Sequence, residues 1–308
     1  MTKTPEVIVA GDVIDDVFVH TDTEIRPDTD TDADISLEPG GSAANTACWL
    51  SHLGRDVVFH GRVNARDLSR HADEFGRQKV TAVLQADPER HTGTIIVIVH
   101  RETRTMLTDR GANTALEVSS LCRTPGEIPQ VLYLTGYSFF HRDSIDDLIE
   151  LMVRVRQAGS QVVLDCSSAG FLADHGASWW WDIASHSSVV KANADEAKFL
   201  TGLDPATAAQ AFAARGLWGI VTCGADGAAW CEPGGTPAHL PAHPLGAEGL
   251  VDPTGAGDSF SAGVISGMLQ GLPARECVQR GLVVSAEAVS QRGARPLATR
   301  MRSVPSPA

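Results

Sequence analysis

Asp252-Pro253-Thr254-Gly255-Ala256-Gly257-Asp258-Ser259-Phe260 lies near the C-terminal end of a 308-residue chain. Beyond it Phe260, Val264 and Met268 recur every four residues, with Ile265, Leu269 and Leu272 beside them. That is the apolar stripe of a helix over about 255–270. Small residues at its start let the backbone come close to a ligand, and the free N–H groups of a helix N-terminus bind anions. Phosphate held by backbone amides needs no lysine. Asp258 falls in the first turn, where the helix dipole favours its ionised form. A carboxylate beside an anion-binding turn repels the anion. Its presence makes sense if it faces a hydroxyl whose proton it accepts as a phosphoryl group arrives. The same nine residues also read as a tight turn followed by an acid that merely stabilises the helix. A dinucleotide fingerprint fits worse, since G-x-G-x-x-G needs glycine where Phe260 stands and belongs after an early strand.

Charge and composition narrow the rest. Lysine and arginine number 25 against 38 aspartates and glutamates, a formal net charge of −13. A broad surface for nucleic acid or anionic lipid needs clustered basic residues, so neither is expected as a partner. The only lysines are Lys3, Lys79, Lys191 and Lys198. None follows a glycine, so the phosphate loop G-x-x-x-x-G-K-[ST] is absent. Residues 1–10 lack the apolar length of a secretory signal, and 94–99 is far short of the roughly 20 residues that span a bilayer. The six cysteines are scattered without a C-x-x-C pair, which reads as reduced core thiols in a cytoplasmic protein. The eleven histidines show no ligand spacing, and no structural zinc is expected.

Along the chain, residues 6–10 predict a buried strand and 17–19 a second short one. The acidic run 21–35 reads as a solvated loop, with a metal-binding loop the less favoured alternative. An alanine-rich helix over 42–53 stops at Gly54, a strand occupies 56–60 and a polar helix 67–77. Two β-rich runs at 94–100 and 103–108, separated by Arg101-Glu102, read as a hairpin. Strands at 131–135, 161–165, 189–192 and 219–223 then alternate with helices at 144–157, 195–201 and 205–215, the pattern of βαβ units and a parallel sheet. Helices over about 255–270 and 273–291 finish the fold. The expected organisation is one α/β domain over 1–298, with insertions near 13–38 and 93–110 and a flexible tail at 299–308. Trp179-Trp180-Trp181 reads as an amphipathic segment that packs against the core or a partner.

A second glycine turn opens a helix at Pro39-Gly40-Gly41-Ser42-Ala43-Ala44-Asn45. A hydroxylated ligand needs donors and acceptors on close backbone, which a Gly-Gly turn supplies, and Asn45 offers both. Taken alone it reads equally as a loop with a helix cap. Together, 40–45 and 252–258 resemble the two signatures of the ribokinase-like (PfkB) carbohydrate kinase family. Further motifs agree in order: Gly11-Asp12-Val13-Ile14-Asp15-Asp16 is similar to that family's first strand end. Lys191-Ala192-Asn193-Ala194-Asp195-Glu196 resembles its N-x-x-E segment, and Thr222-Cys223-Gly224-Ala225-Asp226-Gly227 its T-x-G-x-x-G nucleotide turn. The resemblance extends from about residue 6 to 297.

The resemblance implies a ribokinase-like three-layer sandwich, a central mostly parallel sheet with a small β-strand lid, and an ATP-dependent kinase acting on a hydroxyl of a sugar or sugar derivative. Asp258 would be the base, and the amides of Gly255, Ala256 and Gly257 the anion hole. Asn193 and Glu196 would organise Mg²⁺ and the phosphates, through water as suits a cation that dehydrates reluctantly, unless they are only a helix cap with a first-turn acid. Thr222, Gly224 and Gly227 would line ATP. Gly40, Gly41, Asn45, Asp16 and Asp12 would hold the acceptor. Asp252 and Thr254, with carbonyls near Ala288, Gln291 and Gly293, resemble the family's potassium site, although Leu297 stands where some members offer a serine hydroxyl. The lid implies a homodimer. Ile14 and Ser42 replace an asparagine and a lysine of ribokinases, and Gly61-Arg62-Val63-Asn64-Ala65 departs from G-D-D-x-x-G, all of which argues against ribokinase itself. Arg104 and Arg110 suit either a sugar acid or sugar phosphate, or pairing with lid acids. Phe18, Tyr137, Phe139 and Phe140 suit either packing or stacking on a nucleobase. A nucleoside kinase of the same fold is the alternative enzyme, and a non-catalytic binding protein the alternative to an enzyme.

Overall fold

Val7-Ile8-Val9-Ala10, an apolar run with no polar residue, forms β1 (Val7–Ala10), and all four residues are buried, as a strand covered on both faces requires. The computed structural model describes residues 4–100, 103–142, 144–246 and 248–297. The turn expected at 101–102 and the tail at 299–308 lie outside them.

After β1 come β2 (Ile14–Thr21), β3 (Asp34–Gly40), α1 (Ser42–His52), β4 (Val57–Asn64), α2 (Leu68–Arg77) and β5 (Thr81–Asp87). β6 (Gly93–His100) and β7 (Thr103–Asp109) follow. Next are β8 (Val131–Thr135), α3 (Asp146–Gln157), β9 (Gln161–Asp165), α4 (Ala169–His175) and α5 (Ala177–Ala184). β10 (Val189–Asn193), α6 (Ala194–Thr201), α7 (Pro205–Ala213) and β11 (Trp218–Thr222) continue the alternation. β12 (Ala228–Cys231), β13 (Ala238–Leu240), α8 (Ala256–Leu269) and α9 (Ala274–Val289) complete it.

The large sheet has the order β13-β12-β11-β10-β9-β8-β1-β4-β5. It is parallel from β5 to β11, with β12 and β13 antiparallel. α1, α2, α8 and α9 bury Trp49, Phe75, Ile265 and Val278 with Val9, Phe59 and Tyr133 on one face. α3 to α7 bury Met152, Trp180 and Phe212 with Leu132, Leu164 and Val190 on the other. The three expected layers are present. Trp180 is buried in the second core, and Trp179 and Trp181 pack partly buried beside it.

The two insertions form a separate sheet of order β3-β2-β6-β7, with β2 and β6 parallel and the outer pairs antiparallel. The loop expected over 21–35 ends earlier, because Ile35 and Leu37 alternate with polar residues and pair with Val19 and Val17. β5, β12 and β13 were not foreseen. They edge the large sheet, where mixed polar and apolar residues blur the periodic signal.

β1 has β4 on one side and β8 on the other, so the chain order reverses there. A crevice forms outside the carboxyl ends of parallel strands at such a switch point. Asp12, Asp165, Asn193 and Thr222 stand at or just beyond the ends of β1, β9, β10 and β11.

Candidate active site

A cavity of about 530 Å³ fills that crevice between the two sheets. Its lining includes Asp12, Asp16, Gly41, Ser42 and Asn45 from one side, Asn193, Glu196, Thr222 and Gly224 from another, and Thr254 to Asp258 along the floor. The separate motifs of the sequence therefore meet in one place. Phe18, Ile95, Val97, Met106 and Tyr137 form an apolar wall. Phe139 and Phe140 instead pack in the core.

Gly255 caps α8 at φ 78°, a left-handed conformation that suits glycine. The Ala256 amide donates weakly to the Pro253 carbonyl at 3.3 Å, and the first-turn amides have no intrahelical carbonyl to meet. Asp258 sits in that turn. Its Oδ1 accepts from Ser42 Oγ at 2.6 Å and its Oδ2 from Asn45 Nδ2 at 3.0 Å. Burial pushes its carboxyl up to about 6, against the opposing pull of those two donors.

Gly41 starts α1 at φ 95°, and a Cβ there would lie 2.4 Å from the Asp12 carbonyl oxygen. Asp12 caps α1 from outside, accepting from the Ser42 and Ala43 amides at 3.2 Å each. Arg110, 6% exposed, lies with Nη1 3.6 Å from Asp12 Oδ2, its guanidinium 4.0 Å above the Tyr137 ring. Asp16 lies against Gly40, where a Cβ would meet its Oδ2 at 2.1 Å. Burial, with Asp12 adding to it, pushes the Asp16 carboxyl up to about 7. Arg295 ties the turn down, donating to Asn45 Oδ1 at 3.1 Å and to the Gly40 carbonyl at 2.8 Å.

Asn193 and Glu196 form a reciprocal cap of α6. Asn193 Oδ1 accepts from the Glu196 amide at 2.9 Å, and Glu196 Oε2 from the Asn193 amide at 2.8 Å. Both nonetheless line the cavity, and burial raises the Glu196 carboxyl. Gly227 is not in the lining. It stands where β12 turns back, and a Cβ would lie 2.0 Å from the Leu240 carbonyl oxygen. Asp252 Oδ1 accepts from the Thr254 amide at 3.0 Å, the Thr254 hydroxyl at 2.6 Å and Arg104 Nη2 at 3.1 Å. Its Oδ2 accepts from the Gly293 amide at 3.1 Å. Arg104 thus ties β7 of the small sheet to the start of α8 instead of pairing with the acids of the small sheet.

Four residues of this region were not singled out from the sequence. Asp165 ends β9, a position that a parallel strand's carboxyl end marks in advance. Lys191 lies within the N-x-x-E stretch, whose motif gives it no role. Arg295 and Asn113 carry no local signal. Asn113 pins the β1–β2 connection, accepting from the Val13 amide at 2.8 Å and donating to its carbonyl at 2.9 Å.

The profile of the pfkB family carbohydrate kinases matches residues 4–300. An uncharacterised sugar kinase of Archaeoglobus fulgidus is 26% identical over 254 residues, covering 80% of this chain and 96% of that protein. A 1-phosphofructokinase of Haemophilus influenzae is 29% identical over 83% of this chain and 82% of its own. The structure of adenosine kinase from Sinorhizobium meliloti superposes with a TM-score of 0.82 at 22% identity, covering 96% of each chain. The chain belongs to the pfkB family of carbohydrate kinases.

Proposed function

We propose that the protein transfers the γ-phosphoryl group of ATP to a hydroxyl of a sugar or sugar derivative, with Asp258 as the base. The observation that carries this reading is the position of Asp258, a hydrogen-bonded carboxylate in the first turn of α8 on the floor of the crevice. The acceptor oxygen attacks the γ-phosphorus as Asp258 takes its proton. The bond from that phosphorus to the bridging oxygen breaks, and ADP leaves. A carboxyl at about 6 is ionised at neutral pH and close enough to it to accept a proton usefully. The amides of Gly255, Ala256 and Gly257 meet the charge on the phosphoryl oxygens, where preorganised donors act most strongly.

Asp12, Asp16, Gly41 and Asn45 hold the acceptor, with Gly40 giving Asp16 its place. Thr222 and Gly224 hold the nucleotide, and Gly227 shapes their turn. Mg²⁺ fits the hard oxygens of Asn193 and Glu196 through water. Among the described residues no group of three His, Cys, Asp or Glu side chains is set to hold a metal directly. The ion would offset the triphosphate's charge. A monovalent cation at Asp252 and Thr254 would compete with Arg104, which already brings a positive charge to both side chains.

The small sheet serves as a lid that excludes water. Its face away from the cavity carries Leu37, Val17, Ile96 and Leu107 in one cross-strand row and Ile35, Val19 and Ile98 in the next. Leu37 is 73% and Ile35 62% exposed. Such a patch supports a homodimer in which two lids meet. The six cysteines are all free, which supports a reducing compartment, the cytoplasm.

The apolar wall of Phe18, Val97, Met106 and Tyr137 favours a second reading, a nucleoside acceptor stacked on it. ATP consumption measured over sugars, sugar acids, sugar phosphates and nucleosides decides between them. Turnover of sugars or their derivatives alone supports the first reading, and turnover of nucleosides alone overturns it.

A further inference from the structure

The crevice holds a cation that neither the anion hole nor the acceptor groups account for. Lys191, one of four lysines in the chain, lies at the centre of β10 with its side chain 9% exposed. It lines the same cavity as Asp258 and the 254–258 turn. Its Nζ lies 2.8 Å from where a Cβ on Gly257 would stand, directly against the second glycine of the anion-binding turn. The absence of a side chain at 257 is what leaves room for the ammonium.

Resting on the kinase reading above, we propose that Lys191 is a further catalytic residue, its ammonium contacting the oxygens of the phosphoryl group in transit, and that Asp165 positions it. Lys191 Nζ donates to Asp165 Oδ2 at 3.0 Å. Asp165 is itself fixed: Oδ1 accepts from the Ser167 amide at 3.0 Å, and Oδ2 also from Ser261 Oγ at 3.3 Å and Tyr133 Oη at 3.4 Å. An ammonium has three donors. With one spent on Asp165, two remain for phosphoryl oxygens. The Asp165 carboxylate 3.0 Å from Nζ is the counter-ion of the ammonium, and Lys191 takes no part in the proton transfer. The proton released by the acceptor goes to Asp258, and the electrons of the broken P–O bond go to ADP. A buried ion pair is by itself a poor device for stability, since apolar residues of similar volume often serve as well. Beside an anion-binding turn it delivers positive charge where negative charge is transferred. A chain that is short of lysine thus keeps one where phosphate passes.

The test separates a phosphoryl contact from a mere partner for Asp165. Lys191→Met/Asp165→Asn removes both charges of the pair together. Steady-state kcat is measured with MgATP and whichever compound of the acceptor panel the wild type turns over fastest. Melting temperature and calorimetric affinity for MgAMP-PNP are measured alongside. The double variant is expected to melt within a few degrees of wild type and to bind MgAMP-PNP within about tenfold, while kcat falls about 10²- to 10³-fold. Recovery of kcat to within threefold of wild type would show a structural pair and overturn the proposal. Lys191→Gln, which still donates one hydrogen bond to Asp165, is the second test. It is expected to lose kcat by about 10²-fold with the KM for MgATP within about threefold, and an unchanged kcat would equally overturn the proposal. A wild type that phosphorylates nothing in the panel contradicts the kinase reading itself, and is seen before any variant is compared.

Discussion

Ser42→Ala tests the electrostatics of the base without touching the base. Ser42 Oγ donates to Asp258 Oδ1 at 2.6 Å, and a hydrogen bond to a charged group is worth about 1.5–3 kcal/mol net. One pH unit of titration corresponds to about 1.4 kcal/mol, so losing the donor moves the carboxyl up by about one to two pH units. Water entering from the cavity replaces part of the bond, which favours the lower figure of about one. The sign follows from the role. The base works when deprotonated, kcat rises with pH through its titration, and removing a donor to the carboxylate favours the protonated form. Starting from about 6, the acid limb of the kcat profile moves to about 7 in the variant. At pH 6 the ionised fraction falls from about one half to about one tenth, a fivefold loss of kcat. At pH 9 the two enzymes converge. The raised carboxyls of Asp16 and Glu196 titrate nearby, so the limb alone does not identify its owner. Its displacement does, because Asp258 is the carboxylate that this hydroxyl bonds. A limb that stays in place, or a loss equal at every pH, refutes the reasoning.

Other consequences can be measured directly. Gly41→Ala forces φ 95° on a residue with a Cβ only 2.4 Å from the Asp12 carbonyl oxygen. It should destabilise the protein by about 1–3 kcal/mol, read as a lower midpoint in denaturant unfolding, and an unchanged midpoint contradicts the close approach. Arg104→Ala cuts the tie from the lid to Asp252 and Thr254. A partly exposed pair of this kind is worth up to about 1 kcal/mol, so the acceptor KM should rise about two- to fivefold with kcat nearly kept. Leu37→Asp with Leu107→Asp charges the outer face of the lid. Sedimentation should show a dimer for wild type and a monomer for the variant, and a monomeric wild type ends the proposed pairing.

Much of this was legible in the sequence because its signals are local. The four-residue repeat after Asp258 and the small residues before it defined α8 and its anion-binding start. The β-branched runs at 94–100 and 103–108 marked the lid strands β6 and β7. What escaped was set by tertiary contact. Thr81–Asp87 is an edge strand whose pairing with β4 supplies what its composition does not. Ile35 and Leu37 sit within and just beyond an acidic run, and only pairing with β2 reveals their strand. Lys191 and Asp165 are 26 residues apart, on strands that only the sheet order makes neighbours. Arg295 lies 250 residues from Asn45, with no spacing that could announce the contact. Gly227 fitted a nucleotide turn by motif, yet its close neighbour is the backbone at Leu240, a distance that spacing along the chain does not encode.

Asp258→Asn bears most directly on the central claim. The amide keeps the shape and one acceptor toward Ser42 but cannot take the acceptor's proton. Measured with MgATP and the acceptor that wild type uses, kcat should fall by about 10²- to 10⁴-fold, the usual worth of a positioned general base, while affinity for MgAMP-PNP stays within about threefold. A variant that retains more than a tenth of wild-type kcat would contradict the assignment of Asp258 as the base.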